Sequence, residues 1–159
     1  MLTQAEIARR IPHQGRMCLL DRVLAWSPER IDCEASSHRD PANPLRAHGR
    51  LGIACGIEYA AQAMAVHGAL MAESAEAGDA AAPLPRAGYL ASLRGVLFHA
   101  VRLDDAPGAL SIRAERLLGD GNSRVYSFAL EAGGRPLLSG RATVVLDAGL
   151  AAQLTSARP

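Results

Sequence analysis

The 159-residue sequence lacks several features that would assign it quickly to a functional class. Only 4% of the residues are aromatic, and 17 Lys and Arg against 16 Asp and Glu give a net charge of +1. Because no basic stripe alternates with aromatic residues, neither nucleic acid nor an anionic membrane is expected as a partner. No apolar run is long enough to span a bilayer, and the opening MLTQAEIARR lacks the apolar stretch of a signal peptide. We therefore expect a cytoplasmic protein.

Cysteine is also scarce. Cys18, Cys33 and Cys55 are odd in number and show neither a CxxC spacing nor a Cys/His ligand spacing. We interpret them as buried or idle thiols, with no disulfide framework and no metal site. The sequence also contains no nucleotide-binding motif, so neither a metal nor a cofactor is expected.

The most informative stretch that is present is GIACGIEYAAQAMAVHGAL, residues 52–70. It is apolar on nearly every face, which predicts a buried helix. Its one carboxylate is Glu58, and Gln62 follows one helical turn later. Burying an ionisable group costs several kcal/mol unless the group is paired or protonated. Glu58 is thus either a hydrogen-bonded carboxylate of the core or an interface, or a general acid or base with a raised pKa.

Around this helix the sequence predicts mainly strands. Thr3 and Glu6 form a T-x-x-E capping box that opens a short helix over Gln4–Arg10. The irregular segment 40–51 leads into the long helix, which is expected to end near Ala72. An exposed loop at 72–86 and a frayed tail at 148–159 complete the chain. The predicted strands are 18–27, 29–39, 88–100, 109–118, 123–131 and 136–146, with turn signals that suit antiparallel connections.

This order of elements predicts an α+β fold. A single helix that is apolar on all sides must be surrounded, and a curved antiparallel sheet of about six strands can wrap around it. That is the architecture of the hotdog fold, which we expect over residues 1–147, with 148–159 as a flexible tail. Exposed sheet edges invite pairing with a second copy, so a homodimer is the default expectation.

Two motifs resemble those of the beta-hydroxyacyl-acyl-carrier-protein dehydratases of fatty-acid synthesis. IPHQGRMCLLDRVL is similar to that family's L-P-H-R-x-P-x-L-L-x-D-R-V, and IEYAAQA is similar to its helix motif I-E-x-x-A-Q. The runs GYLASLRGVLFHAVRL and SGRATVVL more narrowly resemble the dehydratase-like proteins of bacterial aryl-polyene pigment clusters. The resemblance implies dehydration of a 3-hydroxyacyl thioester, carried on acyl carrier protein or coenzyme A.

The resemblance also implies site residues at the start of the long helix. In the resembled family a histidine and a Glu or Asp from opposite subunits share the acid and base roles, and backbone N–H groups at the helix start polarise the thioester. Glu58 takes the position of the carboxylate, which we assign as the acid. Gly52, Gly56 and Gln62 take positions where substrate would bind, although both glycines are equally explained by packing.

The catalytic histidine is harder to assign, because the family's G-H-F-P-G motif is missing. Aligned without gaps from Glu58, that histidine falls at Pro44. The loop contains one histidine, His48, which is 10 residues before Glu58 and is our first candidate for the base. His13, in the matched N-terminal motif, is the second candidate. His38, His67 and His99 are assigned no chemistry.

Two alternatives remain open. Hotdog thioesterases use a helix-borne carboxylate to activate water and need no histidine, so the missing motif also suits an acyl thioesterase. The chain could equally be a non-catalytic hotdog subunit that binds acyl chains or completes a heterodimer. Arg94 and Arg102 could meet a carrier protein or its phosphopantetheine phosphate, or could simply lie on a solvated strand edge.

Overall fold

One antiparallel sheet and one long helix dominate the computed structural model, which describes residues 1–76, 87–120 and 123–147. The strands are β1 (Leu2–Thr3), β2 (Arg22–Trp26), β3 (Arg30–Ala35), β4 (Ala87–Phe98), β5 (Leu110–Asp120), β6 (Ser123–Ala132) and β7 (Arg135–Asp147), and the helices are α1 (Gln4–Ala8) and α2 (Gly56–Glu76). Neighbouring strands pair in the order β1-β2-β3-β5-β6-β7-β4. The predicted α+β hotdog arrangement is confirmed. No helix within the described ranges is long and apolar enough to cross a membrane.

Local sequence explains how the chain enters this sheet. The predicted capping box forms, with the backbone N–H and the hydroxyl of Thr3 both donating to Glu6 Oε2 at 2.8 Å. Helix α1 ends at Ala8, before the predicted Arg10, and Pro12 then keeps Ile11 out of helical backbone. Strands β2 and β3 then form the predicted hairpin, closed by the backbone bond from Ser27 N to Arg30 O at 2.8 Å.

Helix α2 is buried along most of its length, as its apolar sequence predicts. Tyr59, Ala60, Ala63 and Val66 have no exposed surface. They pack against one face of β3, β5 and β6, which we call the inner face of the sheet. Its buried residues include Ile31, Cys33, Ala35, Leu110, Ile112, Ala114, Tyr126, Phe128 and Leu130. Each fully buried large apolar side chain stabilises the fold by about 1.5–3 kcal/mol, so this layer holds the helix in place.

The opposite, outer face of the sheet is polar. In β3, Arg30, Asp32 and Glu34 alternate with the buried residues, as the two-residue period of a strand requires. Arg113 Nε of β5 lies 2.7 Å from Asp32 Oδ1, and Arg30 Nε lies 3.0 Å from Asp32 Oδ2. The outer face over these strands is therefore solvated and neutralised by ion pairs.

Helix α2 leaves one end of the inner face uncovered. It packs on β3, β5 and β6, whereas β4 lies at the end of the sheet beyond β7. Leu90, Leu93 and Phe98 of β4 point to the inner face, because they pair with buried residues of β7, and they are 36%, 37% and 50% exposed. We call this strand the β4 edge; its second edge pairs with no other strand among the described residues, and its apolar side chains are exposed.

The cysteines are single thiols. Cys18 and Cys33 are buried, and Cys55 is half-buried. Burial, reinforced by the nearby charge of Asp32, raises the pKa of the Cys33 thiol to about 12. Cys33 is therefore an apolar core side chain at neutral pH, as the sequence predicts.

Element boundaries differ from the prediction at both ends of the long helix. Gly52 is in extended backbone, residues Ile53–Cys55 form a 3-10 turn, and α2 begins only at Gly56. Such tight turns are common at helix starts. The helix continues to Glu76, past the predicted end. Strand β1 was not predicted, because two residues show no alternation. Most of the predicted loop 72–86 and the whole tail 148–159 lie outside the described residues.

Candidate active site

Glu58 lies in the first turn of α2. Its side chain is 32% exposed, although the following Tyr59 has no exposed surface. The carboxylate thus lies where the buried helix emerges toward solvent. It occupies the position that the sequence assigns to the site carboxylate.

The segment after α1 places His13 beside Glu58. His13 Nε2 is 3.0 Å from Glu58 Oε1, and the imidazole is 28% exposed. Its other ring nitrogen, Nδ1, is buried and has no hydrogen-bond partner within the described part of the chain. Of the two candidate histidines, His13 is therefore the one that contacts the carboxylate in this chain.

Gln62 joins this segment to the helix. Its Nε2 donates to Met17 O at 2.8 Å and to Glu58 Oε1 at 3.0 Å, while its Oε1 accepts from Leu19 N at 2.9 Å. These bonds use both amide hydrogens, and Gln62 has no exposed surface. The geometry favours a supporting role for Gln62 over the substrate contact expected from the sequence.

The charge state of Glu58 follows from these contacts. Burial raises the pKa of Glu58, but the hydrogen bonds from His13 and Gln62, together with the charge of His13, outweigh burial and leave the pKa below its usual value. Glu58 is therefore ionised at neutral pH. The raised pKa that one of the sequence-based hypotheses required is not found, because the partly exposed carboxylate has two donors aimed at it.

His48 lies apart from this pair within the chain. It occupies the tip of a tight turn between Ala47 and Arg50, where it is exposed and has a positive φ of 51°. That backbone conformation is uncommon outside glycine. Among the described residues, His13 and Gln62 are the hydrogen-bond partners found for Glu58, and His48 is not one of them.

The loop where the family histidine would fall is closed by hydrogen bonds. Pro44 is exposed, whereas Asn43 points inward and is 5% exposed. Asn43 Nδ2 donates to Tyr59 Oη and to Ser37 O, both at 2.9 Å. Sequence reasoning missed this network around Tyr59, and the tyrosine directly after Glu58 was its only available signal.

The two candidate glycines differ in their surroundings. A Cβ at Gly56 would overlap Leu138 Cδ2 and crowd Leu130 Cδ2, so this glycine lets the helix approach β6 and β7. A Cβ at Gly52 would meet open space. The packing explanation thus accounts for Gly56, while Gly52 keeps an open approach to the helix start.

Of the two candidate arginines, Arg102 forms ion pairs, whereas Arg94 forms none with the described residues. Arg102 Nη2 donates to Asp104 Oδ2 at 2.8 Å, and Arg46 Nη1 donates to the same oxygen at 2.9 Å. The bond from Arg102 holds the pKa of Asp104 well below its usual range despite the opposing effect of burial. The ion pair between Arg46 and Asp104 ties the loop before α2 to the turn after β4. No cluster of metal-binding side chains occurs within the described ranges.

A sheet wrapped around one long helix defines a hotdog-fold protein, and in this one a histidine and a carboxylate meet at the helix start. The chain belongs to the ApeP-like family of ApeP dehydratases, and the model of that family matches residues 5–155. This agrees with the resemblance to aryl-polyene-cluster dehydratases seen in the sequence. No curated protein sequence matches the chain.

Solved structures support the fold. The chain is 24% identical to a chain of the dehydratase heterocomplex ApeI:P from Xenorhabdus doucetiae, with a TM-score of 0.77 over 94% of this chain and 96% of that chain. It is 20% identical to AziG from S. sahachiroi, with a TM-score of 0.52 over 80% and 90% of the two chains. A hypothetical thioesterase with coenzyme A from Streptococcus pneumoniae TIGR4 is 10% identical, with a TM-score of 0.55 over 79% and 84%. At these identities the likeness establishes the hotdog fold.

Proposed function

We propose that His13 and Glu58 of this dehydratase form the acid–base pair that removes water from a 3-hydroxyacyl thioester carried on acyl carrier protein, in the cytoplasm. The observation that carries the proposal is the 3.0 Å contact between His13 Nε2 and Glu58 Oε1, in a chain of a dehydratase family. Family membership favours this activity over thioester hydrolysis.

The step moves two protons. A base takes the proton from the carbon next to the thioester carbonyl, the C–O bond at the next carbon breaks as a double bond forms, and an acid protonates the departing hydroxide to give water. The pair must therefore hold one proton before the reaction. Because the pKa of Glu58 is lowered, we assign that proton to His13 Nε2.

This assignment gives each residue one role. Glu58 accepts the proton from carbon, and His13 donates to the departing hydroxide. A proton transfer from Glu58 to His13 across their hydrogen bond then restores the starting state. The roles are reversed relative to the sequence-based expectation of Glu58 as acid, and the reason is that two hydrogen-bond donors stabilise the ionised carboxylate.

The thioester carbonyl is proposed to approach past Gly52. That residue precedes the 3-10 turn that leads into α2, and its α-carbon faces open space. The start of a helix carries partial positive charge, which stabilises negative charge on a carbonyl oxygen as an enolate develops. This geometry supports Gly52 as a substrate-binding position.

A second hotdog subunit is proposed to complete the site. The β4 edge presents a free strand of 12 residues with exposed Leu90, Leu93 and Phe98 on its inner face. A long apolar edge strand pairs readily with another strand. The similar chain from Xenorhabdus doucetiae is part of a heterocomplex, which supports a hotdog partner here too, whether identical or different.

The assay that tests the function uses the purified protein, alone and with any hotdog subunit that co-purifies. A carrier protein loaded with a 3-hydroxyacyl chain is compared by mass spectrometry with one loaded with the saturated chain. We expect the hydroxyacyl form to lose one water and the saturated form to remain unchanged. Release of free thiol from the saturated form would instead identify a thioesterase, and no reaction in either preparation would identify a non-catalytic subunit.

The two candidate histidines provide a matched pair of variants. His13→Asn removes the proposed donor, so water loss should stop. His48→Asn changes an exposed turn residue, and asparagine tolerates its positive φ, so water loss should continue. The opposite pattern would move the histidine role to His48.

A further inference from the structure

The outer face of the sheet carries two adjacent arginines beside the β4 edge. Arg94 of β4 and Arg141 of β7 are directly opposite each other in the strand register, and both are exposed. Directly opposed residues of antiparallel strands point to the same face. No ion pair or hydrogen bond of either side chain occurs within the described residues. We call these two residues the arginine pair.

Within the described part of the chain, no carboxylate adjoins the arginine pair across the sheet. The next residue across the sheet from Arg141 is Ser127 of β6, and beyond it lies Glu115 of β5. Strands are about 4.8 Å apart, so Glu115 lies two strands and roughly 10 Å from Arg141. Like charges placed directly opposite each other destabilise a strand pair. Elsewhere on this face, Arg30 and Arg113 both pair with Asp32.

The arginine pair lies where two copies of the chain would meet. A two-fold axis that pairs two identical β4 strands is perpendicular to the sheet, so the strands run antiparallel and share one outer face. Because directly opposed residues share a face, one residue of the strand must lie opposite itself on the axis, and pairing along the whole of residues 87–98 makes this residue 92 or residue 93. The two Arg94 Cα atoms are then roughly 14 Å apart with residue 92 on the axis and roughly 8 Å apart with residue 93 on it. Arg94 and Arg141 of both chains would then lie close together where the two sheets meet.

We infer that the arginine pair selects against a symmetric pair of identical chains and in favour of a different hotdog subunit, one whose edge strand carries Asp or Glu on the outer face. This rests on the proposed pairing through the β4 edge. Four cations within about one Debye length repel each other at low salt. Carboxylates facing Arg94 and Arg141 would replace that repulsion by attraction, and such electrostatic complementarity governs the choice of partner.

The first test is self-association of the purified chain by analytical ultracentrifugation. We expect wild-type chains to dimerise weakly at about 0.05 M salt and more strongly at about 0.5 M, because salt screens the repulsion. Arg94→Gln should strengthen dimerisation about fivefold at low salt, with little difference at high salt. The matched control is Arg135→Gln, an exposed arginine of the same strand as Arg141 that lies beyond the region paired with β4. It should leave the dissociation constant unchanged.

The second test mixes wild-type chains with the charge-reversed variant Arg94→Glu/Arg141→Glu, and counts species by native mass spectrometry. Random pairing would give two mixed dimers for each dimer of either kind. We expect mixed dimers to exceed that ratio about fivefold at low salt. A random ratio, or tight wild-type dimers that do not respond to salt, would overturn the inference.

A variant of the apolar edge separates this inference from the interface on which it rests. Leu93→Asp places a charge on the inner face of β4 and should abolish the mixed dimers. If dimers persist in Leu93→Asp, the β4 edge is not the interface, and both proposals about the partner fail. If Leu93→Asp abolishes dimers but the arginine charges have no effect, the interface stands and only the selection by the arginine pair is overturned.

Discussion

His13 contacts the start of α2 and His67 lies in the middle of α2, and the settings of these two histidines differ in charge and in access. His13 meets the carboxylate of Glu58 near the helix start and is 28% exposed. His67, nine residues after Glu58 in the same helix, has no exposed surface. Its Nδ1 lies 3.0 Å from Tyr126 Oη, and its Nε2 lies 2.7 Å from Ser27 O. Both are held by hydrogen bonds, so the bonds alone do not distinguish a site from a structural contact.

The hydrogen-bond partners of His67 and His13 differ in kind, and this difference distinguishes the two histidines. A backbone carbonyl can only accept, so His67 Nε2 must donate and neutral Nδ1 accepts from the tyrosine hydroxyl. Burial lowers the pKa of His67, the charges of Arg124 and Arg116 lower it further, and the bond to Ser27 only partly opposes them. His67 is thus a neutral, closed contact. His13 instead contacts the carboxylate of Glu58, whose side chain is 32% exposed.

The largest effect is expected from the carboxylates of α2. Glu58→Gln removes the proposed proton acceptor while keeping the shape of the side chain, and should slow water loss by about 10²–10⁴-fold. Glu73→Gln, in the same helix, loses only a surface pair with Arg10 at 2.9 Å. Its rate should match wild type. The mass-spectrometric assay measures both rates. Equal decreases in the rate of water loss would show that Glu58 matters no more to the reaction than the surface residue Glu73.

Substituting the two histidines should affect different quantities. His13→Asn should lower the rate about 10²-fold or more while leaving the free energy of unfolding within about 1 kcal/mol of wild type. His67→Asn should leave the rate per folded molecule unchanged but lower that free energy by about 1–3 kcal/mol, because buried polar partners lose their bonds. Urea unfolding followed by circular dichroism measures the stability. A His67→Asn variant that is as stable as wild type but inactive would show that His67, and not only His13, is needed for the reaction.

Gln62 should affect both stability and rate. Gln62→Leu leaves the backbone N–H of Leu19 and the carbonyl of Met17 without their partner, at a cost of about 1–3 kcal/mol in unfolding free energy. It also removes a donor from Glu58, so the pKa of Glu58 should rise toward its usual value. The acidic limb of the pH–rate profile should then shift to higher pH. A loss of stability with an unshifted profile would show that Gln62 supports the fold alone.

The smallest effect is the response of stability to mild acid. The pKa of His67 is lowered in the folded chain, so below 6.5 the unfolded chain binds a proton that the folded chain resists, and the free energy of unfolding falls. The decrease is at most about 1.4 kcal/mol per pH unit and stops at the folded pKa. Glu58 also has a lowered pKa, but its contribution is complete above 4.5 and is lost only at lower pH.

The measurement compares wild type with His67→Gln by urea unfolding between about pH 7.5 and pH 5.5. The stability difference between the two proteins should shrink as the pH falls. His38, another buried histidine with a lowered pKa, contributes equally to both proteins and so cancels. If the free energies of unfolding of the two proteins change in parallel with pH, folding does not lower the pKa of His67.

The sequence predicted the fold well because the fold depends on periodic patterns. The continuous apolar character of α2 and the alternation in β3, β5 and β6 each specify which face is buried. The motif positions also predicted that Glu58 lies at the start of the long helix, where the structure has it. What failed were features without a period, such as the two-residue β1 and the 3-10 turn at Ile53–Cys55.

The partner of Glu58 was less predictable, because 45 residues separate it from His13 along the chain. Spacing favoured His48, which lies closer in sequence but at an exposed turn. Gln62 supports the contact, since its hydrogen bonds to Met17 and Leu19 join the N-terminal segment to the helix. A long-range hydrogen bond of this kind leaves no periodic trace in one sequence.

The most direct test of the central claim is a double-mutant cycle on the rate of water loss, with His13→Asn, Glu58→Gln and both together. Residues that act as one unit show strongly non-additive effects. If His13 and Glu58 share one proton, the double variant should be about as slow as the slower single variant, within a few-fold. If instead the two losses multiply, the residues act independently and the proposed acid–base pair is wrong.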